Sequence, residues 1–530
     1  MKTNLLNFIR TQLFSAQTSF NNIKHLEIQL RRSYSGKKLF LLLFTILAIA
    51  VLNMAWIGHL ASDDKAYISA ALGWLNEFPY VPDSHWAVRH TLNIPMAIIF
   101  RLFGEGEFQS VLVSLIYGIA LLTILAFSVR RIASLNAAMI ACLFIIFTPF
   151  FSETVTISGV DVVETFYVIL SLLLYLFAIE HKGALTFMLA AGIASGLAFL
   201  SRETSVGLIA AYGILFLFRP YTERWRYFVI GFGFVAILGV EMAYYAWAID
   251  DPLLRFKIAL STFDIPDPIT GTGNLVTNWW FAPIFSLLVN NEFGLTYWIA
   301  ALIIFISRRK NKGLDHTISL NQIIFVFSVA AISWFLVVGY MLDLRALPRY
   351  FLVTTILVIT VASLYGSFLV TQIRVRYLTL AIAFFVVVQI TLIDLSNQQL
   401  LLPERTLTRL ANSDKTSPIY TDPYTNWRSS YFLKWAGTSR DHVIITPPEQ
   451  GAIFLYNPKG VAKGFATDYG QFDPKKYHPN TEWSLITIFR GNPTLTGSVL
   501  IKSGMEKLIE ALGLNRIIWE TEPVFLYRVE

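Results

Sequence analysis

Cysteine is almost missing: Cys142 is the single thiol in 530 residues. That excludes an intrachain disulfide and a zinc cluster built from thiolates. Charge is also scarce. Asp, Glu, Lys and Arg make up 15% of the chain, against 55% hydrophobic residues. A soluble domain of this length needs far more charge to cover its surface. No internal repeat is evident, so an inverted-repeat transporter gains no support. The net charge of +7 does not point to nucleic acid, because the basic residues sit in short turns between apolar runs, where membrane topology accounts for them.

What the chain does have is long apolar runs. They fall at about 39–59, 108–129, 136–151, 163–179, 184–200, 204–218, 227–248, 293–307, 320–342, 350–371 and 377–394. A helix of roughly 20 residues at about 1.5 Å per residue matches a hydrocarbon core of about 30 Å. Irregular backbone cannot face lipid, so the runs read as helices. Alternate turns carry Arg130-Arg131, Lys182, then Arg219 with Arg224 and Arg226, then Arg308 to Lys312, then Arg374 and Arg376. Short basic turns at every second position place those turns, and the N-terminus, on the cytoplasmic side. Residues 1–37 read as a basic cytoplasmic segment. The run that follows Arg31 and Arg32 is too long for the apolar part of a cleaved leader.

The expected fold is an α-helical polytopic membrane protein of about eleven transmembrane helices, with interfacial helices in its first outer loop. The polar stretch after the last helix, 396–530, holds strand-like runs such as HVIITP, GAIFLY and SLITIF between Pro, Gly and Asp signals, and is expected to form a small α/β domain on the outer side.

Several charges stand out on the outer side. Ser62-Asp63-Asp64 follows the first apolar run. With Ser62 as cap, both acids complement the dipole of a first helical turn. A carboxylate at a membrane surface also suits the work of taking a proton from an acceptor hydroxyl. Tyr67 lies one turn on. Arg89-His90 opens an apolar stretch that ends at Phe103-Gly104 and is too short to span. Arg89 either forks around a phosphate or snorkels to lipid head groups. His85, His90 and Asp83 do not have the spacing of a recognised metal site. Asp161 sits at a helix end with Glu153 and Glu164 close in sequence. An acid at membrane depth points to a polar cavity. Arg202-Glu203 interrupts two apolar runs, and Arg255, Lys257, Arg345 and Arg349 also lie in outer segments. Cations are usually kept off that side, so each needs an anionic partner, either a nearby carboxylate or a phosphate. Trp279 and Trp280 read as an interface belt.

The ordered set Ser62-Asp63-Asp64 with Tyr67, Arg89-His90, Phe103-Gly104-Glu105, Asp161, Ser201-Arg202-Glu203-Thr204 and Arg349-Tyr350 resembles the GT-C-type glycosyltransferases. Within them it is most similar to the bacterial group related to protein mannosyltransferases and aminoarabinose transferases. The resemblance covers about 38–395. It implies a sugar donor on a polyprenyl-phosphate carrier and transfer on the non-cytoplasmic side to an envelope lipid, glycan or protein. It assigns Asp63, with Asp64 beside it, and Asp161 to catalysis. It assigns Tyr67, Arg89, His90, Arg202, Glu203, Arg349 and Tyr350 to substrate binding. Some members need a divalent ion and others do not, so it names no cofactor. A bacterial inner or plasma membrane follows from the same resemblance. Two other readings compete: a multi-pass transporter or lipid flippase, which asks for charges near the bilayer midplane and broken helices, and a scaffold whose outer domain binds a partner.

Overall fold

The computed structural model describes residues 45, 47–181, 184–218, 220–263, 280–310, 318–342, 347–370, 372–396, 401–413, 417–438, 442–466, 468–493, 495–513 and 522–530. Lys182, Arg219, Trp279, Lys312, Arg345 and the basic N-terminal segment lie outside these residues. Residues 1–53 and 54–530 are two separate units; the second carries all that follows.

Among the described residues, six helices are long and apolar enough to cross a membrane. They are Glu107–Ile132, Asp161–Glu180, Trp225–Ile249, Leu320–Met341, Pro348–Ser367 and Arg376–Asp394. A seventh span results if the bent pair Leu135–Ile146 and Pro149–Val155 counts as one. The sequence-based count of eleven is therefore not reached by length and composition. The reason is that several apolar runs make shorter helices, among them His90–Phe103, Leu185–Ser201 and Glu203–Phe218. Seventeen residues rise only about 25 Å, less than the hydrocarbon thickness of about 30 Å.

The run 136–151, expected as one helix, is bent by 74° at Phe147-Thr148. Pro149 cannot donate to the helical ladder. The break is satisfied locally: Thr148 Oγ1 donates to Phe144 O at 2.8 Å, and Phe150 N donates to Glu292 O at 2.9 Å. The apolar stretch after Arg89 forms the helix His90–Phe103, with Pro95 inside it and Arg101 in its last turn.

Helices are numbered from the first loop onward: α1 (Asp63–Asn76), α2 (His90–Phe103), α3 (Glu107–Ile132), α4 (Leu135–Ile146), α5 (Pro149–Val155), α6 (Asp161–Glu180), α7 (Leu185–Ser201), α8 (Val206–Phe218) and α9 (Trp225–Ile249). Helix α7 packs closely on both α6 and α9. Small residues permit the approach, as they do between helices in lipid. A Cβ on Gly192 would stand 2.1 Å from the Ile230 carbonyl oxygen, and one on Gly233 would stand 2.6 Å from that of Leu189. Hydroxyls cross the same interface. Ser171 Oγ bonds the hydroxyls of Ser195 and Tyr212 at 2.9 and 2.7 Å.

After the last apolar helix, Ile419–Thr421 (β1), Val443–Ile444 (β2), Ile453–Tyr456 (β3), Trp483–Phe489 and Val524–Val529 form one five-stranded sheet. The strand Ile419–Thr421 pairs in parallel with both β2 and β3, and Val524–Val529 pairs antiparallel with β3 and Trp483–Phe489. The helices Leu402–Ser413 and Pro423–Trp435 cover it, with Leu407, Leu433, Leu455 and Leu526 in the core between them. Asp422 caps the second helix: its carboxylate accepts the Thr425 N–H at 2.9 Å and the Thr425 hydroxyl at 2.7 Å. This region belongs to the same compact unit as the apolar helices.

Two outcomes follow. Gly192→Leu forces α7 off α9 and should cost about 1–3 kcal/mol, read as a lower unfolding temperature of the purified protein in detergent. Burial pushes the Asp422 carboxyl up to about 6, against the hydrogen bonds from Thr425. The folded chain then holds a proton there that the unfolded chain has lost, so stability rises as pH falls from about 6 toward about 4. Asp422→Asn should be more stable than the parent at neutral pH, and the gap in unfolding temperature should close by about pH 4.

Candidate active site

The site is built around the start of α1. The expected Ser62 side-chain cap does not form. Asp64 turns back instead and accepts the backbone N–H groups of Leu60 at 2.5 Å, Ala61 at 3.3 Å and Ser62 at 2.7 Å. Its Oδ2 also meets His59 Nδ1 at 2.6 Å. Asp64 is 3% exposed. Burial alone would raise its carboxyl, but the His59 contact and these backbone donors together hold it below the usual aspartate value. The bend needs Ala61 at φ 57 and Gly58 at φ 85, the first a left-handed conformation that costs a non-glycine residue about 1 kcal/mol.

Asp63 points the other way. Its Oδ2 meets Arg349 Nη1 at 2.9 Å, with both side chains more than a third exposed. Arg349 belongs to the short helix Pro348–Phe351, which leads into the helix Leu352–Val370. Its guanidinium lies 5.3 Å from the Tyr350 ring centre, and Arg202 lies 4.8 Å from the same ring. Behind Tyr350, Arg202 Nη1 is 2.6 Å from Asp161 Oδ1, both nearly buried. Glu164, one turn further along α6, accepts from Thr204 at 2.5 Å and Ser205 at 2.9 Å. Tyr67 is 4% exposed, and its phenol is raised by burial and by the Asp63 charge, with Arg89 and Arg202 opposing. Asp63, Tyr67, Asp161, Arg202, Arg349 and Tyr350 are thus brought together from four distant segments. Among the described residues, no acceptor meets the buried Arg349 Nε.

Arg89, His90 and Glu203 belong to a second network. Arg89 Nη1 is 2.9 Å from Glu203 Oε2 and donates to Ser201 O at 2.9 Å. Glu203 Oε1 also meets Arg255 Nη1 at 2.7 Å. Arg255 Nε lies 2.9 Å from both oxygens of Glu241, and Arg255 donates to the carbonyls of Val88 and Leu200. His90 Nε2 is 3.0 Å from Glu241 and 2.6 Å from the Tyr245 hydroxyl. Arg89 and His90 thus have protein partners in this network, as Asp64 has in the bend. Arg255, read from sequence as awaiting an anion, is 1% exposed and filled by two carboxylates. Lys257 pairs with Asp251 at 2.8 Å on the surface.

Sequence reasoning missed Glu241. The signal was present: one carboxylate inside the apolar run 227–248 is costly unless paired. It also missed Glu292, whose carboxyl is pushed up to about 7 by burial and by the nearby Asp161 charge. His85 is pushed down to about 4 by burial and by Arg89. Among the described residues, no group of three His, Cys, Asp or Glu side chains is placed to hold a metal ion.

Removing Arg255 leaves the buried Glu241 without a guanidinium, with only His90 and Tyr245 beside it, and takes one of two cations from Glu203. Arg255→Met should destabilise the protein by about 3–5 kcal/mol, and Arg255→Lys should recover only part of it because the planar fork is lost. Thermal unfolding in detergent measures both.

Residues 93–247, which include α6 and α7 and the Asp161–Arg202 pair, match the family described as dolichyl-phosphate-mannose-protein mannosyltransferase. Among curated proteins, none matches the chain. Two solved structures of ArnT from Cupriavidus metallidurans share the fold. The apo form has a TM-score of 0.53 at 14% identity, and the form bound to undecaprenyl phosphate has 0.51 at 13%. Each covers 80% of this chain and 94% of its own. An Archaeoglobus fulgidus oligosaccharyltransferase in complex with Zn and sulfate matches at a TM-score of 0.45 and 13% identity, over 76% of this chain and 62% of its own. In the matched segment and in its fold, this multi-pass membrane protein resembles the GT-C-type glycosyltransferases.

Proposed function

We propose that the chain transfers a sugar from a polyprenyl-phosphate carrier to an acceptor hydroxyl or amine of the envelope, on the non-cytoplasmic side of the membrane. The observation that carries this reading is the accessible Asp63–Arg349 pair, 2.9 Å apart, with an unused donor on Arg349 and a second guanidinium, Arg202, 4.8 Å from the ring centre of the neighbouring Tyr350. The undecaprenyl phosphate in one similar structure supports the choice of carrier. The expected basic turns support the orientation.

In this mechanism the carrier phosphate docks on Arg349 and Arg202. Arg349 exchanges its carboxylate partner for phosphate oxygens, which frees Asp63. The acceptor attacks the anomeric carbon as its proton passes to Asp63. The bond from that carbon to the phosphate oxygen breaks, and its electron pair leaves with the phosphate. The phosphodiester monoanion becomes a monoester dianion, so one negative charge develops where the guanidiniums stand. Stabilisation that grows with that charge lowers the barrier and does not merely tighten binding. Asp161 orients Arg202. Asp64 shapes the bend before Asp63, and Arg89, His90 and Glu203 brace the wall of the site.

Transfer of radiolabelled sugar from a polyprenyl-phosphate donor tests the roles. Asp63→Asn should lower kcat by about 10²–10⁴. Arg349→Gln should lower it by about 10²–10³ and raise the donor KM. Full activity in a correctly folded Asp63→Asn protein would remove Asp63 from the mechanism.

A further inference from the structure

The sheet-bearing region touches the site segment more closely than a tethered domain requires. Arg428, on the helix Pro423–Trp435, donates to Leu60 O at 3.0 Å, and its Nε is held by the buried Glu404 carboxylate. Lys65, two residues past Asp63, donates to Trp427 O at 2.6 Å and lies 4.3 Å from the centre of that indole. His59, the partner of Asp64, is 0% exposed. Its ring centre stands 5.5, 5.1 and 5.2 Å from those of Tyr431, Phe432 and Trp435. Arg405, on the preceding helix, donates to Ile57 O at 3.3 Å and meets Glu107 at 2.6 Å. The same Glu107 oxygen accepts the His59 N–H at 3.2 Å.

We propose that the helix Pro423–Trp435 is a positioning element of the active site: it clamps residues 57–62 in the bend that presents Asp63. The inference rests on the assignment of Asp63 made above. The bend is not one the chain keeps unaided. Ala61 sits at φ 57, and such strain persists only where the surroundings over-determine it. Asp64 ties the bend from within, through three backbone N–H groups and His59. The aromatic box holds His59 from outside. Asp63 is the next residue along the chain from this knot, so the direction of its carboxylate follows the bend. A shift of about 1 Å at a reacting group costs about 10²-fold in rate.

Donor binding does not run through this contact. Arg202 and Arg349 stand on other elements, at the end of α7 and on Pro348–Phe351. A loosened clamp therefore lowers kcat per folded molecule and leaves the donor KM alone, whereas partial unfolding lowers only the folded fraction.

The test is the full-length enzyme in nanodiscs, with kcat and donor KM measured for Trp435→Ala, Trp435→Phe and Asp63→Asn, and the folded fraction read from size exclusion and thermal unfolding. Trp435→Ala should lower kcat about 10- to 100-fold with the donor KM within about twofold. Trp435→Phe, which keeps a ring against His59, should restore most of it. If Trp435→Ala does not accumulate as folded protein, Tyr431→Leu is judged by the same standard. Unchanged kcat in a folded variant overturns the clamp. So does a loss that follows the folded fraction and is not recovered by Phe. An inactive Asp63→Asn beside a fully active Trp435→Ala removes only the clamp, whereas a fully active Asp63→Asn removes the assignment on which it rests.

Discussion

Arg255 is the interaction on which the rest of the site depends. It is 1% exposed, yet it reaches Glu241 of α9, Glu203 in the turn after α7, and the carbonyls of Val88 and Leu200. A guanidinium offers five donors in a fixed plane, so filling it from these directions fixes where the segments stand relative to one another. The turn it anchors is Ser201–Glu203, and that turn presents Arg202. The carbonyl it takes from Val88 anchors the entry to α2. An isolated charge so deeply buried would be very costly. The arrangement holds only because each donor and carboxylate has found its partner, and that mutual need makes it a rigid mount.

On this mount the ion pairs divide into two kinds. Arg255, Arg89 and Arg202 are themselves buried, Glu241 and Asp161 opposite them nearly so, and the third-exposed Glu203 is held by two of them at once. The pair between Asp63 and Arg349 is different. Both side chains are more than a third exposed, and such a pair contributes only about 0–1 kcal/mol to stability. A weak pair is the one that exchanges partners without unfolding anything. In the mechanism proposed above, Asp161 and Arg202 would supply preorganisation, and Asp63 and Arg349 the chemistry that a bound anion switches on.

Much of this was legible in the sequence, for reasons that can be named. A charge in a mostly apolar chain is expensive, so each one carries information. That is how Asp161, Arg202 and Arg349 stood out, although Arg349 meets Asp63 across 286 positions of chain. The apolar runs landed on helices because period and length are written in composition. What could not be read is backbone shape. Two adjacent acids after a serine look alike in a first turn. Only the left-handed Ala61 and the returning N–H groups of residues 60–62 separate Asp64, which is consumed by the bend, from Asp63, which is not. The count of spans turns on a related point. Seventeen apolar residues say that a segment avoids water, and they do not say that it reaches the far side. Glu241 was legible and was passed over, because its run reads as an ordinary spanning helix.

The distribution of partners also bears on why two guanidiniums stand beside one tyrosine. Both lie near the Tyr350 ring, at 5.3 and 4.8 Å from its centre. Two like charges would otherwise repel across a region of low dielectric. Cation–aromatic attraction, about 0.5–2 kcal/mol apiece, and the pairing of each guanidinium with an aspartate offset that repulsion. In the reaction proposed above, an arriving phosphate monoanion would relieve it further, and the dianion formed on bond breaking would relieve it most. The repulsion would then be smallest at the moment of greatest charge, and that is the condition under which electrostatic strain becomes rate.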